Sequence, residues 1–227
     1  AGAFLQRKCN VVISSRQQSI VDNSKKFLTQ KFDSNTIAGF AADVSSHEQI
    51  QNLWNQAVEK FGSVDIWINN AGVSNQLNPF WKIHPEEMRC VIETNVLGEM
   101  FGTAVAMTGF IRQGFGALYN MEGMGAKSSR KVSGLSIYGS SKSALGYFND
   151  AIASENNFEN IIVGSLQPGM MLTDMVMCQY EGKQEEWDKV KGILTALSED
   201  ENIVADWLAE KILANRKNGV RLKFSGI

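Results

Sequence analysis

Thr36-Ile37-Ala38-Gly39-Phe40-Ala41-Ala42, the segment His47 to Phe61, and Asp65-Ile66-Trp67-Ile68-Asn69 decide the fold. The first and last are short apolar runs of strand length. Between them Ile50, Leu53, Trp54, Ala57, Val58 and Phe61 recur at steps of three and four, which places them on one face of a helix. Gly62 follows as the terminating residue, because glycine tolerates the left-handed backbone found just past a helix end. Strand, helix and strand in this order read as a parallel unit with a crossover helix.

The same alternation extends outward. Upstream, Asn10-Val11-Val12-Ile13-Ser14 reads as a buried strand and residues 19–31 as a helix. Downstream, Pro85 suits a first helical turn, and Glu86 and Glu87 complement the positive end of the helix dipole. That helix is expected to run to about Arg112 through Met88, Val91, Ile92, Val96, Leu97, Met100 and Phe101. Strands follow at Ala117 to Asn120, Asn160 to Leu166 and Gly219 to Phe224. Helices are expected from Tyr138 to near Asn156, from Trp187 to Leu197 and from Glu199 to Asn215. This pattern predicts an α/β fold: a Rossmann-type, doubly wound parallel sheet with helices on both faces, in a single domain over residues 1–227.

Composition narrows the function. The charged fraction is 20% and the net charge −2, so no basic field is available to neutralise nucleic-acid phosphates. No apolar run approaches the roughly 20 residues of a membrane span. The cysteines are Cys9, Cys90 and Cys178, an odd number without metal or redox spacing. Free thiols in a reducing, cytoplasmic setting are the simplest expectation. The two histidines, His47 and His84, have no partner at metal-ligand spacing, so no catalytic metal is expected.

Tyr138-Gly139-Ser140-Ser141-Lys142 carries the chemistry. Tyr and Lys four residues apart share a helix face. An ammonium beside a phenol favours the phenolate, so the pair could exchange a proton near neutral pH; a solvated helix face produces the same pair. Further marks in this order are Asn69-Asn70-Ala71-Gly72, Thr94-Asn95 and Gln167-Pro168-Gly169-Met170-Met171-Leu172-Thr173. Together with the Tyr-Lys pair they resemble the short-chain dehydrogenase/reductase family over the whole chain. Asn120-Met121-Glu122-Gly123-Met124-Gly125 is similar to the chlorophyll b reductase branch of that family, whose members reduce a formyl group with NADPH.

The resemblance implies a carbonyl–alcohol oxidoreductase with Tyr138 as acid/base. Lys142 would bind the nicotinamide ribose and lower the Tyr138 pKa, and Asn95 would relay protons. Ser15 stands where NAD-preferring members carry an acid, and Arg16 could pair with a 2′-phosphate, so NADP(H) is favoured over NAD(H); a solvent arginine at a strand end is the plain alternative. Asp43 and Val44 would lie at the adenine, with an N-cap as the other use of Asp43. Asn70, Ala71 and Gly72 would admit the cofactor backbone closely, and Pro168, Gly169 and Thr173 would face the carboxamide. Simple turns could account for both stretches, and a solvent-facing polar position for Asn95.

Two departures stand out. The family's phosphate-binding glycine loop is not found before Val11, and the resemblance implies that about 20 residues, a strand and that loop, precede Ala1; a chain truly this short is the other reading. The family's carbonyl-binding Ser position falls on or near Gly123, leaving Ser128, Ser129 or Ser133 as substitutes. A substrate lid is expected over about residues 170–192, with Met170, Met171, Met175, Met177, Tyr180 and Trp187 as adaptable apolar surface; core packing is its alternative. Arg130 and Lys131 would flank the pocket mouth. The expected partners are a small, apolar carbonyl or alcohol and further copies of the chain in a homodimer or homotetramer. A catalytically weak dinucleotide-binding or scaffold homologue is the rival reading.

Overall fold

The computed structural model describes residues 1–123, 125–126 and 131–225. Helix α1 (Gly2–Gln6) leads into strand β1 (Val11–Ser15), helix α2 (Gln18–Thr29), strand β2 (Ile37–Ala41), helix α3 (His47–Phe61) and strand β3 (Ile66–Asn69). Helix α4 (Pro85–Ile92) continues through a π-helical turn (Glu93–Leu97) into α5 (Gly98–Gln113). Strand β4 (Gly116–Met121), helix α6 (Ser136–Glu155), strand β5 (Ile161–Gln167), helices α7 (Asp174–Cys178), α8 (Gln184–Leu197) and α9 (Glu201–Ala214), and strand β6 (Val220–Lys223) complete the order.

Among the described residues every strand pairing is parallel. β1 pairs with β2 from Val11 opposite Ile37 to Ser15 opposite Ala41. A second piece runs β3-β4-β5-β6. Among the described residues, no strand pairs across from β1 to β3. The two pieces nonetheless share one apolar layer. Leu53, Trp54, Val105, Phe110, Leu118 and Val163 are buried together, with Val12 and Phe40 of the first piece and Trp67 of the second packed on them.

Neighbouring residues of β4 enter opposite layers, as strand pleating requires. Leu118 joins the layer under α3 and α5, whereas Tyr119 joins Leu166, Val204, Leu208, Ile212 and Phe224 under α9. The sheet is thus covered on both faces, as the alternating pattern predicts. α3 and α5 approach closely because Gly109 faces Trp54: a Cβ at that glycine would lie 2.0 Å from the indole. Gly62 ends α3 with φ +86° and donates its N–H to Val58 O.

Helix boundaries differ from expectation in two informative places. α6 begins at Ser136 rather than Tyr138, with Leu135 as an N-cap that has no side-chain acceptor. The missing acceptor comes from a distant loop, where Asn75 Oδ1 accepts from Tyr138 N at 3.1 Å. At α3 the side-chain cap is Ser46, accepting from Gln49 N, rather than Asp43. Asp43 instead holds the preceding turn through Ser45 N and Oγ at 2.9 and 2.7 Å.

Glu122, just past β4, is buried and receives Arg221 of β6 through Nε and Nη2 at 2.9–3.1 Å. Arg221 Nη2 also reaches Asp150 of α6 at 3.3 Å. Removing the cation would strand a buried carboxylate. Arg221→Ala is therefore expected to lower unfolding free energy by about 3–5 kcal/mol, read from urea denaturation. A loss below about 1 kcal/mol, the range of exposed pairs, would contradict this.

Candidate active site

Parallel pairing brings all strand C-termini to one edge, and ligands of open α/β sheets bind there. Ser15 ends β1, Asp43 and Val44 follow β2, Asn70 to Gly72 follow β3, Gly123 follows β4, and Pro168 and Gly169 follow β5. Asn70, Ala71, Gly169 and Arg16 are exposed, while Ser15, Asp43, Gly72 and Thr173 are partly buried. Pro168 is buried and Gly169 takes φ +83°. Val44 packs on Gly98, the first residue of α5, where an added Cβ would lie 2.7 Å from its side chain.

One cluster assembles on this edge. Asn95 lies 1% exposed within the π turn, where an extra residue in the helix turns its amide inward. Its Oδ1 accepts from Val73 N at 2.8 Å, and its Nδ2 donates to Val73 O at 2.9 Å and Ser141 Oγ at 3.0 Å. This staples the loop after β3 to α6, immediately beside Lys142. Lys142 is buried and its Nζ donates to Met121 O at 2.9 Å. A Cβ at Gly72 would stand 4.0 Å from Lys142 Nζ, 3.5 Å from Asn95 Oδ1 and 3.9 Å from Met175 Cε. Tyr138, Lys142, Asn95, Gly72 and Met175 therefore share one small region.

Gly123 marks the front of that region. A Cβ there would meet Tyr138 Oη at 2.5 Å and Lys142 Cε at 3.2 Å. The phenol and the lysine thus converge on a space that only glycine leaves open, at the position where the family resemblance places Ser. Ser133 and Lys131 are exposed. Met124, Ser128, Ser129 and Arg130 lie outside the described residues.

Electrostatics differ from the expectation at Tyr138. Burial pushes its phenol above the ordinary tyrosine range, and Lys142 does not offset it. Desolvation wins because the ammonium is itself buried and donates to Met121 O. Burial also pulls Lys142 below its usual value, with Glu99 and then Glu122 acting in the opposite direction. Glu99 is 5% exposed and raised to about 8, first by burial, against the opposing pull of Lys142 and then Asn149. Even so, neither Glu99 Oε1 nor Asn149 Nδ2 completes a hydrogen bond.

Sequence reasoning missed Glu99, Asn75 and a buried amide network. In that network Asn69 Nδ2 donates to Asn120 Oδ1 at 2.8 Å and to Thr103 Oγ1 at 3.2 Å, and Asn120 Nδ2 donates to Asn149 Oδ1 at 2.6 Å. The available signal for Glu99 was an acid within an otherwise apolar stretch of α5. For Asn75 it was the absence of a cap at Leu135.

Residues 174–183 pack against the loop after β3. Gln179 Nε2 donates to Ser74 Oγ at 3.0 Å, and Lys183 Nζ reaches Leu77 O and Asn78 Oδ1. The rings of Tyr180 and Trp187 pack at a tilt with centroids 5.4 Å apart. Residues 174–183 are therefore docked on the loop that Asn95 staples, with Met175 over Gly72.

The residues present fit the nicotinamide end of a dinucleotide, since a buried ammonium and a phenol front a glycine-walled space that a Cβ would fill. Among the described residues, no group of acids, histidines and cysteines could hold a metal ion. No described helix is long and apolar enough to cross a membrane.

A chlorophyll(ide) b reductase, NOL, of Oryza sativa subsp. japonica is 32% identical over 220 residues, covering 94% of this chain and 62% of that protein. A probable chlorophyll(ide) b reductase, NYC1, of Arabidopsis thaliana is 31% identical over 193 residues, 78% of this chain and 39% of that one. The chain thus spans less than two thirds of these relatives. Among solved structures, an actinorhodin polyketide ketoreductase with NADPH superposes with a TM-score of 0.85 at 23% identity, covering 100% of this chain and 90% of that one. The short chain dehydrogenase family model matches residues 1–184, and the chain belongs to that family.

Proposed function

We propose that the protein interconverts a carbonyl and an alcohol using NADP(H), with Tyr138 as the acid/base. The observation that carries this reading is the convergence of Tyr138 Oη and the buried Lys142 on the space in front of Gly123. When bound, the nicotinamide cofactor supplies or accepts the hydride. Tyr138 delivers a proton to the carbonyl oxygen from Oη. Its raised pKa keeps that proton in place at neutral pH, which suits reduction. Lys142 binds ribose hydroxyls with its ammonium. The Asn95 side chain spends both amide hydrogens on Val73 and Ser141, so its main role is to hold the β3 loop against α6, and any relay to Lys142 would pass through another group.

The preference for NADP(H) rests on Ser15 in place of an acid and on exposed Arg16 beside it. Asp43 and Val44 serve the adenine side, Asn70 to Gly72 the ribose, and Pro168, Gly169 and Thr173 the carboxamide. Met175 over Gly72, with Met170, Met171 and Met177 nearby in sequence, supports a bulky apolar aldehyde or ketone. The reductases named above act on one such class. Gly123 offers no hydroxyl to polarise the carbonyl. That absence favours a second reading, a weakly catalytic dinucleotide-binding protein.

Tyr138→Phe separates the two readings. It is expected to abolish NADPH-dependent reduction of an aldehyde panel while NADPH titration stays close to wild type. Equal turnover in wild type and variant would reject Tyr138 as the acid. Because reduction needs the protonated phenol, the reduction rate should hold through neutral pH and fall in alkali, with oxidation showing the opposite trend.

Ile92, Leu97 and Ile111 on the α4–α5 rod and Tyr147 on α6 are exposed. We propose that a homodimer or homotetramer covers them. Sedimentation equilibrium should show more than one copy at micromolar concentration, and a strict monomer would refute this.

A further inference from the structure

Tyr138 is the third residue of α6, so its N–H lies in the first turn, where a helix supplies no acceptor of its own. Leu135, the residue before the helix, makes no side-chain cap. Asn75 takes that place from a loop 63 residues earlier, its Oδ1 accepting from Tyr138 N at 3.1 Å. Its amide nitrogen is used as well, donating to Gln76 O and to Gly134 O at 2.7 Å each. Asn75 is 0% exposed, so these bonds are made where water offers no replacement.

The carbonyl of Tyr138 is tied to the same loop by another route. Ser141 Oγ donates to Tyr138 O at 2.8 Å and accepts from Asn95, which bonds Val73. The backbone of Tyr138 is thus gripped at its N–H by Asn75 and at its C=O by Ser141. Asn75 also fixes the approach to the helix. Gly134 takes φ +84° and lies against the loop so closely that a Cβ on it would stand 3.1 Å from the Leu77 backbone. The clamp therefore holds residues 134 and 138, on either side of the uncapped Leu135. A tyrosine ring is rigid and turns about two torsions, so fixing the backbone leaves few positions for Oη. Oη lies 2.5 Å from where a Cβ on Gly123 would stand, and a shift of the helix start would move the phenol relative to that space.

We propose that Asn75 is a positioning residue for proton transfer: by clamping Gly134 O and Tyr138 N it sets where Tyr138 Oη stands in front of Gly123. It acts through Tyr138, and its role in turnover rests on the oxidoreductase reading. Lys142 is anchored separately, through Met121 O, and does not depend on the clamp. Loss of Asn75 therefore misplaces the proton donor while leaving the ammonium in position. A misplacement of about 1 Å costs on the order of 100-fold in rate. An asparagine that only stabilised the fold would instead loosen the whole site, weakening NADPH binding and turnover together.

The test compares wild type with Asn75→Ala in steady-state reduction of an aldehyde by NADPH and in NADPH titration. kcat should fall about 10–100-fold while the Kd for NADPH stays within about twofold. An unchanged kcat, or a Kd that weakens in step with kcat, would overturn the proposal. Should Asn75→Ala fail to fold, Asn75→Asp is read in the same way: it keeps the shape and the acceptor for Tyr138 N but loses both donors, and the same split is expected. In the wild type the Tyr138 amide should exchange its hydrogen as slowly as amides in the middle of α6. Exchange at the pace of an unstructured amide would also overturn the proposal, and this measurement decides if neither variant folds. A wild type that reduces no aldehyde would reject the oxidoreductase reading and the role of Asn75 with it, whereas an active wild type with an equally active variant rejects the role of Asn75 alone.

Discussion

The side-chain amide of Asn95 is the contact on which the site depends. It spends its oxygen on Val73 N and its two N–H groups on Val73 O and Ser141 Oγ. Those bonds fix the loop after β3 against the helix that carries Tyr138 and Lys142. They are available because the α4–α5 rod adopts a π turn at Glu93–Leu97, which presents Asn95 inward. The same loop carries Asn75, which caps α6 at Tyr138 N, so one loop both terminates the helix and anchors the face that carries Tyr138 and Lys142. The segment after β5 then closes on that loop through Gln179 and Lys183.

Around this staple the protein buries an unusual amount of polarity. Asn69, Thr103, Asn120 and Asn149 bond one another beneath the site, and Glu122 is neutralised by Arg221. Satisfied networks of this kind are rigid, because breaking any bond exposes a buried donor or acceptor to an apolar interior. Glu99 and Asn149 are the exceptions, each with one buried polar atom that completes no hydrogen bond. Tyr138 through its backbone N–H and Lys142 through its ammonium are each fixed by a polar bond.

Much of the fold was legible because its signals are local. The apolar period of α3, Gly62 beyond it and Pro85 at the start of α4 each fix an element from a few residues. Parallel pairing then follows, and with it the gathering of Ser15, Asp43, Asn70 and Pro168 on one edge. Asn95 was legible as a poor helix residue in an apolar stretch. What was not legible depends on contacts across the chain. The start of α6 moved to Ser136 because its cap comes from Asn75, 63 residues before Tyr138. The expected lowering of the Tyr138 pKa failed because a four-residue spacing fixes proximity to Lys142 but says nothing about desolvation. Gly123 showed its purpose only when the position of Tyr138 Oη was known.

In the proposed reaction this staple-held cluster supports hydride transfer, with Tyr138 as proton donor. The most direct measurement is the primary deuterium isotope effect on reduction of a bulky apolar aldehyde by NADPH deuterated at the transferred C4 position. Cofactor oxidation should be matched one-to-one by alcohol formation, with deuterium from C4 recovered on the new carbinol carbon and slower turnover for the labelled cofactor when hydride transfer limits the rate. Tight NADPH binding without deuterium transfer to any aldehyde would contradict it.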